Sequence, residues 1–440
     1  MTRTLARSTA CVLSLLAIAG CGGSARLAAK ADTGPNPTLP EPSSSLIPTV
    51  KVAKAIGWSD GAKPTAAQGL TVNAFASGLD HPRWLYVLPN GDVLVAETNR
   101  PPTPDPPANP IRGAFMKSAF KKAGAAAPSA NRITLLRDAD GDGVAETRSV
   151  FLQGLMSPFG MALVGDDFYV ANADAVVRVP YRRGDTRIDA TPAKLTDLPG
   201  APRNHHWTKS LLASRDGSKL YVGVGSNSNI GENGMDIEAG RAAIHEIDIK
   251  TGHSRIYAGG LRNPVGLAWQ PQSGVLWTVV NERDELGSDL VPDYLTSVRD
   301  GAFYGWPYSY YGAHVDTRVQ PQDPALVAKA VAPDYALGAH VASLGLAFYD
   351  GNLFPARYRD GAFVGLHGSW NRDPPSGYKV AFVPFANGRP AGEIEDVLTG
   401  FLDGQGQARG RPVGVAVDSR GAVLVADDVG NVVWRVVPAR

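Results

Sequence analysis

The chain has 440 residues, with 43 Lys and Arg against 42 Asp and Glu and a formal net charge of +1. This near-neutral balance excludes the strong basic excess that is typical of nucleic-acid binders. The 49 Gly and 34 Pro are high for a helical protein and favour many tight turns. Beyond about residue 67, short β-type runs are separated by turn signals and long helical periodicity is nearly absent, which predicts an all-β fold.

The first 20 residues resemble an export signal. Arg3 and Arg7 precede an apolar run over 11–18 that is too short to span a membrane after processing. The sequence Ile-Ala-Gly-Cys closes this run and resembles a bacterial lipobox, in which Cys21 is acylated and becomes the new N-terminus. Lipid attachment is therefore predicted here, with an ordinary secretory signal or a chance cysteine as the alternatives.

Residues 21–66 are rich in Ala, Pro, Ser and Thr, a composition that predicts a flexible tether between lipid and domain. The 2 cysteines of the chain, Cys11 and Cys21, both lie before the predicted domain. That domain therefore has no disulfide and depends on packing for its stability. The predicted location is the periplasmic face of a bacterial membrane, with the outer membrane favoured and the lipid anchor as the only membrane contact.

From about residue 67, a short anchor precedes a hydrophobic strand six times, and each unit reads as anchor, strand, turn and strand. The six segments span 78–97, 154–172, 204–225, 261–282, 342–355 and 408–428. A sandwich does not repeat one anchor in this way, whereas a radial repeat brings equivalent positions together at one end of a central axis. We therefore predict a six-bladed β-propeller over 67–440, with long loop insertions and with 432–437 pairing with 70–76 to close the ring.

Two long insertions interrupt the repeat. Residues 101–130 begin Pro-rich and continue as a short basic amphipathic stretch, predicted to be an ordered surface excursion between two strands of the first blade. The alternative is that this stretch covers the mouth of a pocket or touches a membrane surface. Residues 283–341 are rich in Tyr and Trp and are predicted to form a wall beside the axis, with most rings packed against the protein.

The third anchor carries the candidate base. A histidine titrates near neutral pH and can accept a proton from a hydroxyl group. His206 directly precedes Trp207, at the position where other anchors place Pro or its neighbour, so its side chain is predicted to point toward the axis. The adjacent His205 is either a second pocket residue or a structural hydrogen-bond donor.

The fourth and sixth anchors carry forked hydrogen-bond donors and an amide. These residues are Arg262, Asn263, Arg409 and Arg411. Arginine binds carboxylates in a bidentate way, so several arginines around one axis indicate a polyanionic ligand. The alternative is a set of salt bridges between blades, for which Asp427 and Asp428 are the available partners.

Two acidic clusters are candidate cation sites. The run DADGDGVAE places Asp138, Asp140 and Asp142 at alternating positions, as in a calcium loop, but Ser149 stands where an EF-hand needs a bidentate Glu. This run is either an isolated surface Ca²⁺ site or an acidic hairpin turn. The run NERDELGSD over 281–289 lies nearer to the expected axis and is the better place for a functional cation.

Several spaced motifs together resemble one family. They are NHHWTKSLL, GVGSNSN, LRNPVGLAW, NERDELG, FYGWPYSYYG, HGSWNR, GRPVGVAVD and VADDVGNV. Over 67–438 they resemble the soluble quinoprotein sugar dehydrogenases of the glucose/sorbosone dehydrogenase family, in particular its L-sorbosone dehydrogenases. The resemblance implies a six-bladed propeller, pyrroloquinoline quinone (PQQ) over the axis and Ca²⁺ beneath the quinone. It also implies a histidine base that takes the substrate hydroxyl proton during hydride transfer.

The resemblance assigns roles at the anchors. It places His206 at the position of the family's catalytic histidine. It places Arg262 and Asn263 in the motif that contacts the quinone, and Arg262 is also assigned as a catalytic residue. It matches Arg409 and Arg411 to the paired arginines that clamp the cofactor carboxylates. It also matches one residue of the last blade, Asp427, to an acidic residue of the cofactor site.

The resemblance is less complete at the metal and at one cofactor contact. Backbone carbonyls around Glu282 and Arg283 correspond to the Ca²⁺ ligands, but the glucose-oxidising branch has a Gly-Pro pair at this place. The lysine with which that branch contacts the cofactor has no clear counterpart. The region around His367 takes its place, and Trp370 is assigned there as a cofactor contact.

These expectations combine into one predicted function, with two alternatives. The predicted enzyme is a PQQ- and Ca²⁺-dependent dehydrogenase of a sugar or sugar aldehyde, in which PQQ supplies the redox chemistry and an unknown periplasmic partner accepts the electrons. The first alternative is a Ca²⁺-dependent lactonase on a propeller, which requires carboxylate-rich central ligands and no arginine clamp. The second is a propeller lipoprotein that only binds a ligand, because a fold alone does not fix a function.

Overall fold

The computed structural model describes residues 23–43, 49–102, 110–201 and 203–439. Six antiparallel sheets are arranged as the blades of a propeller, which confirms the predicted fold. The predicted export signal and Cys21 lie outside the described residues. No helix within the described ranges is long and apolar enough to cross a membrane.

In every blade the four main strands follow one another from the axis outward. Blade 1 consists of Pro82–Val87, Val93–Glu97, Arg132–Arg137 and Thr147–Gln153. Blade 2 consists of Met161–Val164, Asp167–Ala171, Ala175–Pro180 and Ala193–Asp197. Blade 3 consists of Leu211–Ala213, Lys219–Val224, Ala243–Asp248 and Ser254–Gly259.

The remaining blades follow the same order. Blade 4 consists of Pro264–Trp269, Leu276–Val280, Pro292–Ser297 and Tyr335–Ala339. Blade 5 consists of Ser343–Tyr349, Gly361–Leu366, Lys379–Ala386 and Glu395–Thr399. Blade 6 consists of Pro412–Val417, Val423–Asp427, Val432–Pro438 and Leu70–Ser77. The last pairing joins the two ends of the domain and closes the ring, as the sequence predicted, so that Val432–Pro438 is paired on both sides and Leu70–Ser77 forms the outer edge of the blade.

The alternation of strand direction decides which connections share an end of the propeller. Every anchor precedes an innermost strand, and the connection from the second to the third strand returns to that same end. We call this end the anchor face. The connections from the first to the second strand and from the third to the fourth begin and end at the other end, which we call the opposite face.

One apolar side chain from each blade packs at the axis just below the anchor face. These six side chains are Trp84, Phe159, Trp207, Val265, Leu344 and Val413. The inner strands approach so closely that a Cβ atom at Gly345 would overlap the Val413 carbonyl oxygen. The axis is therefore filled by packed side chains on this side, and polar anchor residues surround its closed end.

The described part of the segment predicted as a flexible tether instead lies on the propeller. Thr33–Gly34 adds a short strand to the outer edge of blade 4, and Thr65–Ala66 does the same on blade 5. Unpaired backbone groups at a sheet edge accept such additions whatever the side chains are. Composition gave no sign of this pairing, and the tether prediction is corrected for 23–43 and 49–66.

The same segment crosses the anchor face before it reaches blade 5. The amide of Ala25 donates to the Asp373 carbonyl at 2.7 Å, and the amide of Lys51 donates to the Trp370 carbonyl at 2.7 Å. Farther along, the amide of Ile56 donates to the carbonyl of Ala408 at the sixth anchor, at 2.8 Å. These contacts hold the segment along the rim of the anchor face.

The two insertions also reach the anchor face. The first contains the helix Pro110–Lys122 and connects the second and third strands of blade 1, as predicted for a surface excursion. The second leaves the third strand of blade 4 and rises along the blade, where the amide of Trp306 donates to the Gly260 carbonyl at 3.0 Å. Trp306 and Tyr304 are buried, in agreement with the predicted aromatic wall. The other helical elements are Asp236–Glu238, Pro324–Val327 and Ala356–Tyr358, and the remaining short strands are Ser309–Tyr310, His314–Val315 and Arg389–Pro390.

We expect Trp58→Phe to weaken the attachment of the N-terminal segment. The indole Nε1 of Trp58 donates to Asp427 Oδ2 at 2.7 Å, and loss of a hydrogen bond to a buried carboxyl group costs about 1–3 kcal/mol. Chemical denaturation should show a lower free energy of unfolding, and limited proteolysis should cleave 23–66 sooner. An unchanged unfolding curve with an equally resistant segment would show that this contact is dispensable.

Candidate functional site

His206 lies at the third anchor with one ring nitrogen committed to the protein. Its Nδ1 is 2.7 Å from the Ser226 carbonyl oxygen and 3.1 Å from Ser226 Oγ. Because a carbonyl oxygen can only accept a hydrogen bond, Nδ1 carries the hydrogen in the neutral ring and Nε2 keeps its lone pair. The arrangement therefore fixes the tautomer that can accept a proton at Nε2.

The surroundings of His206 also favour its neutral form. Burial lowers its pKa well below the usual value, and the charge of Arg262 lowers it further. Desolvation by the surrounding protein and the same guanidinium lower the pKa of His205 to about 4, although part of this residue is exposed at the surface. The two rings are in edge contact, with centroids 4.7 Å apart. His206 is thus uncharged at neutral pH, as a general base must be.

A glycine brings the third and fourth anchors into contact. A Cβ atom at Gly225 would overlap both the Asn263 side-chain oxygen and the His206 Cβ. Asn263 is buried, and its Oδ1 has no hydrogen-bond partner among the described residues. The structure therefore brings His206 and Asn263 together, with an uncommitted acceptor beside the base.

Arg262 is also at this place, but its guanidinium is engaged by the protein. It donates to the Asn229 side-chain oxygen at 3.0 Å, to the Glu282 carbonyl at 2.6 Å and to Asp284 Oδ2 at 3.3 Å. Only 3% of its side chain is exposed. In this arrangement Arg262 acts on His206 through its charge, and contact with a cofactor would require its hydrogen bonds to be exchanged.

Of the predicted Ca²⁺ ligands, the backbone carbonyl of Glu282 is already engaged in this arrangement, and the carbonyl of Arg283 stays a prediction. The Glu282 carbonyl already accepts the short hydrogen bond from the Arg262 guanidinium, and a second cation at that oxygen would meet like-charge repulsion. The Arg283 side chain is fully buried and donates to Asp316 and to the carbonyls of Pro307 and Ser309. It ties the aromatic wall to blade 4.

A second polar group forms at the anchor face from blades 1, 5 and 6. Asp428 Oδ2 accepts from Arg83 at 2.5 Å and from His367 Nε2 at 2.9 Å. Burial alone would raise the pKa of Asp428, but His367, His81 and Arg83 outweigh it and hold that pKa well below its usual value. Burial lowers the pKa of His367 to about 4, against the pull of Asp428, so its ring is neutral and Nδ1 keeps a lone pair.

This second group adjoins the first across the floor of the site. The Arg83 guanidinium lies over the ring of Trp207, the residue after His206, at 5.8 Å from its centroid. Sequence reasoning did not select Arg83 or recognise Ser226. The signal for Arg83 was available in the first anchor, where His-Pro-Arg-Trp stands in the place that Arg-Asn-Pro holds in the fourth.

The predicted cofactor residues Arg411, Arg409 and Trp370 lie in different environments. Arg411 is buried, donates from Nη2 to the Tyr378 hydroxyl at 2.9 Å, and has no partner at Nε among the described residues. The Arg411 side chain pairs with neither Asp427 nor Asp428, which disagrees with the alternative of a salt bridge from Arg411 to one of these aspartates. Arg409 and Trp370 are half-buried.

Asp427 faces away from the axis, which corrects its assignment to the cofactor site. Its carboxyl group accepts from Trp58 at 2.7 Å, from Trp434 at 3.0 Å and from the amides of Arg411 and Gly430, each at 2.8 Å. Burial raises its pKa to about 6, although these hydrogen bonds oppose the rise. No acceptor position is left for a ligand, and the neighbouring Asp428 faces the site instead.

The acidic run of blade 1 lies far from these residues in the fold. It connects the third and fourth strands and therefore belongs to the opposite face. Its carboxylates converge within 4.8 Å of one another, and the set includes one member that the sequence prediction omitted: Asp138, Asp140, Asp142 and Glu146. Each of them accepts from an amide of the same turn, as an acidic hairpin also would. A cation here would be remote from the anchor face.

Comparisons with known proteins give the site a context. The sequence model of "Glucose / Sorbosone dehydrogenase" matches residues 166–369, and a second, described as "TrAA12-like", matches 311–438. An uncharacterised protein from Borreliella burgdorferi is 29% identical over 292 residues, covering 64% of this chain and 76% of that protein. A PQQ-dependent pyranose dehydrogenase from Coprinopsis cinerea is 27% identical over 245 residues, covering 44% of this chain and 33% of its own length.

Solved structures show the same fold. The PQQ domain of the Coprinopsis cinerea pyranose dehydrogenase, in its holo form, superposes with a TM-score of 0.68 at 22% identity. The superposition covers 87% of this chain and 98% of that domain. A PQQ-bound aldose sugar dehydrogenase from Streptomyces coelicolor superposes with a TM-score of 0.53 at 17% identity, over 85% of this chain and 100% of the other.

We expect His206 to remain neutral, with hydrogen on Nδ1, throughout the range from pH 8 to well below 6.5. The reason is that burial and Arg262 disfavour the imidazolium while the Ser226 carbonyl holds the Nδ1 hydrogen. Side-chain ¹⁵N NMR of the ring nitrogens reports both the protonation state and the nitrogen that carries the hydrogen. The signal that disappears in His206→Asn is that of His206. Protonation near pH 6.5, or a hydrogen on Nε2, would contradict the assignment of Nε2 as the accepting atom.

Proposed function

This chain belongs to the glucose/sorbosone dehydrogenase family, and we propose that it is a PQQ-dependent dehydrogenase that oxidises a sugar or sugar aldehyde with His206 as the general base. The observation that carries the proposal is the fixed, neutral ring of His206 at the anchor face, whose Nε2 has no hydrogen-bond partner in the described part of the chain. Sorbosone and aldoses are the substrates that we expect first. An aldose would yield a lactone and an aldehyde hydrate an acid.

The side chains around the closed axis are compatible with a quinone that carries carboxylates. Arg411 has a buried, unpartnered Nε and no carboxylate bound to its side chain among the described residues, so it can take an anionic group. Asn263 offers an unpartnered amide oxygen beside His206. We propose that these two residues hold PQQ, with Arg409 and Trp370 as further contacts.

The residues of this chain divide the work of the reaction. PQQ, when bound, supplies the hydride acceptor. Nε2 of His206 takes the proton of the substrate hydroxyl group while the carbon that bears this group loses a hydride. The O–H and C–H bonds break, and a carbonyl group forms. Ser226 holds the ring orientation, and the charge of Arg262 keeps the resting ring unprotonated. The proton then remains on the His206 ring, which must release it to solvent before the next turnover.

Calcium is proposed more narrowly than the family resemblance suggests. A structure of a related Trichoderma reesei protein is described as its calcium form. In this chain the expected ligand at Glu282 is bound to Arg262, so no step of the reaction is assigned to a metal here. The acidic turn Asp138–Glu146 offers hard oxygen donors, but on the opposite face.

We also propose that the protein is lipid-anchored at Cys21 and works at the periplasmic face of a bacterial membrane. The support is the lipobox-like sequence directly after an apolar run. Electrons would leave to a separate periplasmic or membrane acceptor.

The proposal is tested by titrating the purified protein with PQQ, with and without Ca²⁺, while following the quinone absorbance. We expect saturable binding, and dye reduction on addition of sorbosone or an aldose. Arg411→Ala should weaken PQQ binding, while Arg411→Lys, which keeps the charge, should weaken it less. Absence of PQQ binding would instead favour the lactonase or the binding-only propeller, and lactone hydrolysis would separate these two.

His206→Ala should reduce kcat by a factor of about 10²–10⁴ because the substrate proton then lacks an acceptor. PQQ affinity should be retained, since the ring is not assigned to hold the cofactor. The matched variant is His205→Ala, for which we expect a smaller loss. Equal loss of PQQ binding in His206→Ala, or a greater loss of turnover in His205→Ala, would remove the base role from His206.

A further inference from the structure

We propose that the anchor face is a membrane-docking surface, which an acyl group on Cys21 and a strip of basic side chains hold against an anionic bilayer. The inference rests on the lipid anchor proposed above and is independent of whether the protein oxidises a sugar. It assigns an orientation: the face that carries His206 is turned toward the lipid. The opposite face points away from it.

The first observation is where the N-terminal segment reaches the domain. The Gly23 carbonyl accepts from the Ser288 hydroxyl at 2.5 Å, and the amide of Arg26 donates to Asp289 at 2.6 Å. Ser288 and Asp289 belong to the connection between the second and third strands of blade 4, and so to the anchor face. Two residues span at most about 7 Å, so an acyl group on Cys21 would begin at this face.

The second observation is a strip of basic side chains along the same rim. All five are exposed, and none pairs with a carboxylate among the described residues: Arg26, Lys54, Lys117, Lys121 and Lys122. The strip is continuous between segment and insertion, because the amide of Ala55 donates to the Lys122 carbonyl at 2.8 Å. The basic end of the helix thus meets the N-terminal segment at the rim.

The third observation concerns the opposite face, where exposed acidic and basic side chains are mixed and no unpaired basic strip is singled out among the described residues. There the acidic turn presents four converging carboxylates, three of them exposed: Asp138, Asp140, Asp142 and Glu146. Anionic lipids attract each nearby Lys or Arg by about 1 kcal/mol and repel carboxylates in the same way. Acyl chains then supply the membrane affinity, and the point of attachment together with the unpaired basic strip selects the anchor face.

The test uses single-cysteine labelling of the full, acylated protein in vesicles. The domain after Cys21 has no cysteine, so Ile56→Cys and Leu353→Cys each introduce one labelling site. Ile56 is 46% exposed beside the basic strip, and Leu353 is 41% exposed between the first two strands of blade 5, on the opposite face. A fluorophore at each site is quenched by nitroxide-headgroup lipids in vesicles of phosphatidylcholine and phosphatidylglycerol at a ratio of about 7:3.

We expect the label at position 56 to be quenched several-fold more than the label at position 353. The charge-reversed variant Lys54→Glu, Lys121→Glu should narrow this difference. The matched control, Arg183→Glu, Lys250→Glu, makes the same change of net charge with two exposed residues of the opposite face and should leave the difference intact.

Two results would overturn the proposal. One is equal quenching of the two labels, or stronger quenching at position 353, in a protein whose intact mass shows the acyl group. The other is an intact mass without an acyl group together with no binding to the vesicles. Neither depends on turnover, so loss of this proposal and loss of the proposed sugar oxidation are separate outcomes.

Discussion

The packing of six apolar side chains at the axis is the constraint on which the site depends. Each blade contributes one of them directly after its anchor, so the anchors cannot shift along the axis independently of one another. Glycines such as Gly345 allow the inner strands to approach closely enough for this contact. Because the filled axis gives the anchor face a solid floor, polar residues far apart in sequence become neighbours on one surface.

The electrostatics of this surface favour a neutral base among cations. No carboxylate of the described ranges pairs with His206; its Nδ1 instead meets a backbone carbonyl, which fixes the tautomer without stabilising the imidazolium as a carboxylate would. Arg262 lowers the pKa further, and Asp284 balances part of the charge of that arginine. His367 differs, since Asp428 accepts its Nε2 hydrogen, yet burial still keeps it neutral. His206 therefore stays neutral and able to accept a proton although cationic side chains lie beside it.

The repeat, the ring closure and the meeting of His206 with Asn263 could all be predicted from the sequence, because anchors and strand alternation are local patterns with a geometric consequence. Which of two adjacent aspartates faces the site could not. Asp427 ends a strand and Asp428 begins a loop, so their side chains diverge. Only the indole groups of Trp58 and Trp434 show that Asp427 is the one turned into blade 6, away from the site. The docking of 23–43 and 49–66 was missed for a similar reason, since a strand added at a sheet edge is bonded through its backbone.

A packed N-terminal segment changes what an anchor at Cys21 would do. A flexible tether of some 45 residues has a root-mean-square span of about 35–40 Å, which would leave the propeller free to turn in any direction. In this structure the segment is bonded to blades 4 and 5 and, through Trp58, to the buried carboxyl group of Asp427. The segment and the propeller therefore rotate together as one body. If Cys21 is acylated as proposed, the point of attachment would determine orientation as well as location, and the residues that stabilise blade 6 would also help to set the face that meets the membrane.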